Sequence, residues 1–187
     1  MADLALRDEP AVSGTAWLRR LPPATRLILQ GGAAARAAAA AAFGVPFAET
    51  ACRACVEGAR ATLWMGPDEY LLLDTALPSS PPPPVAPAFA AISAALGATP
   101  ASLVDISHRQ VALELSGSQA AQVLNGGCPL DLDLAAFPVG MCTRTLFAKA
   151  DILLWRTAPD TFHVEVWRSF AEYLTALLVE VSRDIVT

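Results

Sequence analysis

The sequence predicts an α+β fold of two pseudo-repeated units, each an antiparallel sheet covered by helices. Three observations carry that expectation. First, a strand–glycine–helix phrase occurs twice: Arg26 to Gln30, then Gly31-Gly32, then Ala33 to Phe43; and Val111 to Leu115, then Gly117, then Ser118 to Asn125. Leu29 aligns with Leu115 and Gly31 with Gly117 at one offset. Second, two tryptophan-bearing apolar runs each meet a Pro-Asp pair, LWMGPDEYLLL from Leu63 and LLWRTAPDTFHVEV from Leu153. Third, each run leads into a helical pattern, Ala86 to Leu96 and Ser169 to Val181. In the second, Phe170, Tyr173, Leu174, Leu177 and Val181 fall at helical spacing. Neither a half-apolar sheet nor an amphipathic helix buries its face alone, so a duplicated layer of helix on sheet follows.

The elements take their order from local chemistry. Residues 1–15 lack periodicity and read as a flexible arm. Residues 16–100 form the first repeat and 101–187 the second, each running strand, helix, a meander of about three strands, helix. Pro-Asp between alternating apolar runs is hairpin chemistry, because proline presets φ and aspartate bonds within its own turn. The proline-rich tract at 78–87 reads as an extended linker with polyproline stiffness. Gly31-Gly32 allows close helix–strand packing, and without a GxGxxG fingerprint it gives no nucleotide site. From Asn125 to Thr145 the second repeat carries a long connection. Gly126-Gly127 ends a helix, Pro129 and Pro138 forbid its continuation, and Leu130, Leu132 and Leu134 alternate with Asp131 and Asp133. Connections of this length in a small domain have their own shape and contacts.

Composition excludes several classes. A formal charge of −5 lacks the clustered bases that bind phosphate backbones, so no nucleic-acid partner is expected. The alanine run from Ala33 to Ala42 is broken by Arg36 and too short to cross a membrane. The first ten residues carry acids where an export signal carries bases. The four cysteines therefore read as reduced thiols in the cytoplasm.

Each constellation that invites chemistry has a plainer reading. Cys52 and Cys55 form a CxxC, but on a strand, where residues three apart face opposite ways; small core residues are expected, and no metal. His108 reads as a structural residue at the entry to the Val111 strand, or as a polar contact across an interface. His163 sits in polar alternation and is expected to be exposed. Asp131 and Asp133 project the same way from an extended segment, without a nucleophile or third ligand nearby. Arg144, Arg156 and Arg168 stand near aromatic residues, the composition of interface hot spots and also of ordinary surface arginines.

Ser107-His108-Arg109, the phrase CPLDL…FPVG…RT between Cys128 and Thr145, the closing WRSFAEYL from Trp167, and LWMGPDEYLLL occur in this order over roughly Ala51 to the C-terminus. In order and spacing they resemble the gamma subunit of heterotetrameric sarcosine oxidase. The resemblance implies a fold similar to part of the folate-binding aminomethyltransferase fold. It implies an accessory subunit, without catalytic residues, beside alpha, beta and delta subunits. The complex would oxidise sarcosine to glycine and pass the one-carbon unit to tetrahydrofolate as co-substrate. FAD, FMN, NAD and zinc would sit on the partner subunits and none on this chain. Candidate interface residues are His108, Arg109, Asp131, Asp133, Arg144 and Arg168. An alternative is a stand-alone folate- or small-molecule-binding domain, with a pterin against Trp64 or Trp155. A third is an enzyme using Cys128 or Asp131.

Overall fold

Two five-stranded antiparallel sheets carry the chain, in a computed structural model that describes residues 16–76 and 86–185. In order the elements are β1 (Trp17–Arg20), β2 (Thr25–Gly31), α1 (Ala33–Phe43), β3 (Ala54–Glu57), β4 (Arg60–Gly66), β5 (Glu69–Asp74), α2 (Pro87–Leu96) and β6 (Ala101–Asp105). Then come β7 (Gln110–Ser116), α3 (Ala120–Asn125), β8 (Cys142–Phe147), β9 (Ala150–Ala158), β10 (Thr161–Trp167), a 3₁₀ turn (Arg168–Phe170) and α4 (Ala171–Ile185). The sheet orders are β1-β7-β10-β9-β8 and β3-β4-β5-β2-β6. Read from opposite ends these are one pattern, so the expected α+β duplication is present strand for strand.

The exchange of two strands was not legible. Each sequence repeat opens on a short strand, β1 or β6, and that strand pairs in the other repeat's sheet. β1 lies antiparallel on β7, with Leu18 opposite Leu115 and Arg19 opposite Glu114. β6 lies antiparallel on β2, with Leu103 opposite Leu29. The compact units accordingly run Pro22–Arg109 and, for the other, Gln110 onward together with β1, where 16–100 and 101–187 were expected. An edge strand satisfies backbone donors and acceptors equally well from either repeat, so local pattern does not say where it docks.

In the unit Pro22–Arg109, α1 and α2 cover Leu27, Leu29, Tyr70 and Leu72. Ala35, Ala39 and Phe43 form the buried stripe of α1, one turn apart, in a run of the residue with the highest helix propensity. Its small side chains bring α1 close to the sheet. A Cβ on Gly31 would stand 2.7 Å from that of Ala35 and 3.1 Å from that of Ala101, whereas one on Gly32 would meet nothing within 4 Å. Close packing therefore needs the first glycine only. Of the expected linker at 78–87, residues 78–85 lie outside the described residues; Pro87 opens α2, since proline at a first helical position gives up a donor that has no partner there.

In the other unit, α3 and α4 cover Leu113, Leu115, Ile152, Leu154, Phe162 and Val164. Ala171, Leu174, Leu178 and Ser182 form the buried stripe of α4. Phe170 and Tyr173, expected on that stripe by their spacing, are 39% and 40% exposed. Phe170 lies in the 3₁₀ turn before α4, whose tighter winding shifts its phase, while Tyr173 lies inside α4, beside the stripe that Ala171, Leu174 and Leu178 set. At the end of α3 a Cβ on Gly126 would overlap Val181 of α4, and one on Gly127 would stand 2.8 Å from the Phe147 ring. These glycines end the helix by admitting neighbours; Gly126 itself keeps a right-handed helical φ of −65°.

The two hairpin turns do one job in both units. Gly31 N–H donates to the Asp68 carbonyl at 2.9 Å, and Gly117 N–H to the Asp160 carbonyl at 2.8 Å. Each turn thus ties the end of its hairpin to the end of the neighbouring central strand.

Strand exchange yields a direct prediction. A chain of residues 22–109 contains all five strands of its sheet, whereas 16–100 lacks β6 and carries β1 without its partner. Five cross-strand pairs at roughly 0.2–1 kcal/mol each make 22–109 the more stable in urea by about 1–5 kcal/mol; equal midpoints would show that β6 contributes nothing.

Candidate interface

Arg156 organises the long connection between α3 and β8. Period-two alternation along β9 puts it on the face of Ile152 and Leu154, toward the core, and it is 3% exposed. Its Nη1 donates to the carbonyls of Leu132 at 3.1 Å and Phe137 at 2.6 Å, and its Nε to that of Pro159 at 3.0 Å. The guanidinium lies over the Phe162 ring at 4.6 Å. Gly140 N–H donates to the Arg156 carbonyl and Arg156 N–H to that of Met141. Burial pushes the guanidinium pKa below its ordinary value, while the carboxylates of Asp160 and Asp133 act against that shift. Arg156 is therefore the clamp of the connection and not a surface hot spot. The alternation in β9 was the signal that could have found it.

With the connection clamped, its leucines part company. Leu132 is fully buried, Leu130 packs partly against the core, and Leu134 is 47% exposed. Asp131 and Asp133 are exposed, and each carboxylate accepts the backbone N–H two residues on, from Asp133 at 2.9 Å and Ala135 at 2.8 Å. They build successive turns, not the extended segment expected, because short aspartate side chains compete with strand pairing for nearby N–H groups.

Ser107 holds the turn from β6 to β7. Its hydroxyl accepts from Arg26 N–H at 2.9 Å and donates to Asp105 Oδ1 at 2.5 Å. His108 and Arg109 follow as exposed turn residues, so the structural role expected of His108 falls to Ser107. Arg144 is exposed on β8, at the edge of its sheet. Arg168 is exposed in the 3₁₀ turn, within a run where Trp167, Phe170 and Tyr173 are exposed too. The Phe170 and Tyr173 rings stand edge to face at 6.3 Å. Arg168 thus follows Trp167 in an exposed stretch that also carries Phe170 and Tyr173; Asp131 and Asp133 share one loop, and His108 and Arg109 one turn of the other unit.

The remaining candidates have quieter roles. His163, expected to be exposed, is 6% exposed, with its Nε2 2.8 Å from Glu165 Oε1. Polar alternation misled because this face of the strand is buried as well: Leu153, opposite Glu165, is 3% exposed. Cys52 lies in a turn at φ 58°, not on the strand expected; Cys55, in β3, is half-buried and packs against the core of its unit, as expected; Cys128 and Cys142 are buried. Among the described residues no group of three His, Cys, Asp or Glu side chains could hold a metal ion, and no helix is long and apolar enough to cross a membrane. Trp64 and Trp155 are half-buried in their sheets.

The unit Pro22–Arg109 has a cleft of about 390 Å³ lined by Ala33, Arg36, Ala37, Phe47, Glu49 and Tyr70 among others. Tyr70 forms its floor. Its hydroxyl donates to the Ala48 carbonyl at 3.1 Å, and the Phe47 ring meets it edge on at 4.8 Å. Arg36 pairs with Asp68, and its guanidinium carbon lies 5.9 Å from the Tyr70 ring centre. Burial raises the Tyr70 pKa above 10.0; Arg36 lowers it, and Asp68 and Cys55 add to the rise.

This geometry can be set beside known proteins. The profile of the sarcosine oxidase, gamma subunit family matches residues 30–184. The chain belongs to that family. It is 33% identical over 174 residues to the sarcosine oxidase subunit gamma of Corynebacterium sp. (strain P-1), covering 91% of this chain and 81% of that one. With subunit gamma of Arthrobacter sp it shares 35% identity over 120 residues, 64% of this chain and 55% of that one. Among solved structures it matches a chain of heterotetrameric sarcosine oxidase from Corynebacterium sp. U-96, in complex with pyrrole 2-carboxylate. There the TM-score is 0.82 at 31% identity, over 92% of this chain and 87% of that one. The glycine cleavage system aminomethyltransferase T from Bartonella henselae shares the fold, with a TM-score of 0.63 at 14% identity, over 93% of this chain and 48% of that one. The expected kinship with a gamma subunit and with the aminomethyltransferase fold therefore holds.

Two predictions follow from the site. Arg156→Met strips three loop carbonyls of their donor. With roughly 1–3 kcal/mol for each buried group left unpaired and partial rescue by water, stability falls by about 3 kcal/mol and proteases cut faster within residues 126–141. An unchanged urea midpoint and cleavage pattern would remove the clamp. The second concerns alkali. A phenol whose folded pKa lies above 10.0 contributes stability that is whole below pH 10.0 and is lost as pH rises through the folded value. Wild type minus Tyr70→Phe should show a tyrosinate absorbance step with a midpoint above 10.0, accompanied by a loss of stability missing in the variant; a step at or below 10.0 would contradict it.

Proposed function

We propose that this chain is the accessory gamma subunit of a heterotetrameric sarcosine oxidase in the cytoplasm and contributes no catalytic residue. Alpha, beta and delta subunits are its partners. FAD, FMN, NAD and zinc reside on them, and tetrahydrofolate is the co-substrate that receives the one-carbon unit as sarcosine becomes glycine. The observation that carries this reading is the exposed run Trp167-Arg168-Ser169-Phe170-Tyr173 in a chain of this family. Solvent-facing aromatics beside an arginine are what buried interface centres are made of. Asp131, Asp133 and Arg144 of the same unit, and His108 and Arg109 of the other, are further candidates for polar contacts with partner subunits.

The test is capture from the native host. Tagged chain should bring down three further chains and a yellow, flavin-containing complex. Phe170→Ala with Arg168→Ala should weaken capture by about thirtyfold or more, the effect of losing about 2 kcal/mol at a hot spot, with the fold intact by circular dichroism. A colourless lone protein, or undiminished capture by the double variant, would refute the reading or this surface respectively.

A further inference from the structure

The cleft of the unit Pro22–Arg109 has a counterpart in the other unit, and the comparison says what kind of group fits it. In each unit a phenylalanine from the helix-to-meander connection meets an aromatic ring of the last meander strand, Phe47 with Tyr70 and Phe137 with Phe162. In each a guanidinium lies over that second ring, Arg36 over Tyr70 and Arg156 over Phe162. The connection at 126–141 is long enough to fold its own Leu132 and Phe137 over the strand and to present their carbonyl oxygens to Arg156. The connection at 44–53 is shorter, and there the space beside α1 stays open as a cleft of about 390 Å³, within the size range of small-molecule sites.

The chemistry of its lining is specific. Arg36 Nη1 pairs with Asp68 and approaches the Gly31 carbonyl at 3.4 Å, which leaves Nε and Nη2 of the same planar fork for another acceptor. Such a fork matches a carboxylate, which takes two parallel donors. Ala33 and Ala37 and the Phe47 ring supply an apolar wall. Tyr70 supplies a floor whose hydroxyl donates to the Ala48 carbonyl, and Glu49 also lines the cleft, so a bound carboxylate has to sit on the Arg36 side.

The geometry points to this cleft as a binding site for a small carboxylate with a flat apolar body, its carboxylate on Arg36 and its body between Phe47 and the alanines of α1. The site does not rest on the subunit reading above. The probe is phenylacetate, titrated into the full chain while amide shifts of α1 and Tyr70 are followed by NMR. Saturable shifts are expected there. Phenylacetamide, with the charge removed, and Arg36→Met should each bind about tenfold more weakly or worse. Ala37→Phe, at an exposed position, fills the space and should abolish the shifts without unfolding the chain. No saturation in wild type, equal binding of the amide, or shifts that survive Ala37→Phe would overturn the site. Loss of co-purifying chains in Ala37→Phe, with no phenylacetate binding in wild type, would assign the cleft to a partner's side chain and overturn it too.

Discussion

Neither repeat closes its own sheet, and most of the architecture depends on that. The strand that opens each copy hydrogen-bonds to the first long strand of the other, so each sheet reaches its fifth strand only when both copies are present. β1 is four residues long and holds its place by two means: Leu18 enters the core, and Arg19 makes a two-pronged pair with Glu114 directly across the ladder, at 2.7 and 3.1 Å. The exchange also sets where the chain crosses between units, before Pro22 and after Arg109. The second crossing is the turn fixed by Asp105 and Ser107. A serine-histidine-arginine phrase that looks like chemistry in the sequence therefore begins with a residue whose hydroxyl is committed to backbone geometry.

Within that common frame the two copies have diverged through their connections. Both place a guanidinium over a strand aromatic, but the consequences differ with the length of chain available to cover it. Arg156, sealed under 126–141, gives its donors to carbonyls of its own connection and turns a long loop into a fixed surface. Arg36, under a shorter connection, keeps an exposed ion pair and an open space beside it. One copy has internalised its occupant. The other retains the room.

The helices and strands were legible because their signals are local: apolar period, proline-aspartate turns, glycines between strand and helix. What escaped the sequence depends on what lies across from a residue. Polar alternation in β10 argued for an exposed His163, and the argument fails because that face is buried too, where Glu165 supplies the partner its ring needs. Phe170 and Tyr173 matched the α4 stripe by spacing, yet Phe170 lies in the 3₁₀ turn before the helix, and within the helix the stripe follows Ala171, Leu174 and Leu178 instead. Arg156 could have been placed by the same alternation that places Ile152 and Leu154, had the rule that arginines face solvent not been given precedence. The pairing of β1 and β6 had no local signal, since backbone groups carry no label of the repeat they belong to.

Several reactive-looking side chains are committed to holding the fold. Asp131 and Asp133 each hold a backbone N–H, Ser107 bridges two strands' ends, Arg156 serves three carbonyls, and His163 is closed against Glu165. Each of these groups spends hydrogen-bonding capacity on local geometry, largely so for the buried Arg156 and only in part for the exposed carboxylates of Asp131 and Asp133. Among the large apolar side chains that this unit leaves in solvent are Trp167, Phe170 and Tyr173 at one junction, with Leu134, Val139 and Leu146 elsewhere. Exposed apolar area costs free energy in water until something covers it. Polar groups that hold loops rigid beside exposed aromatic rings would lower the entropy lost if a partner covered that surface.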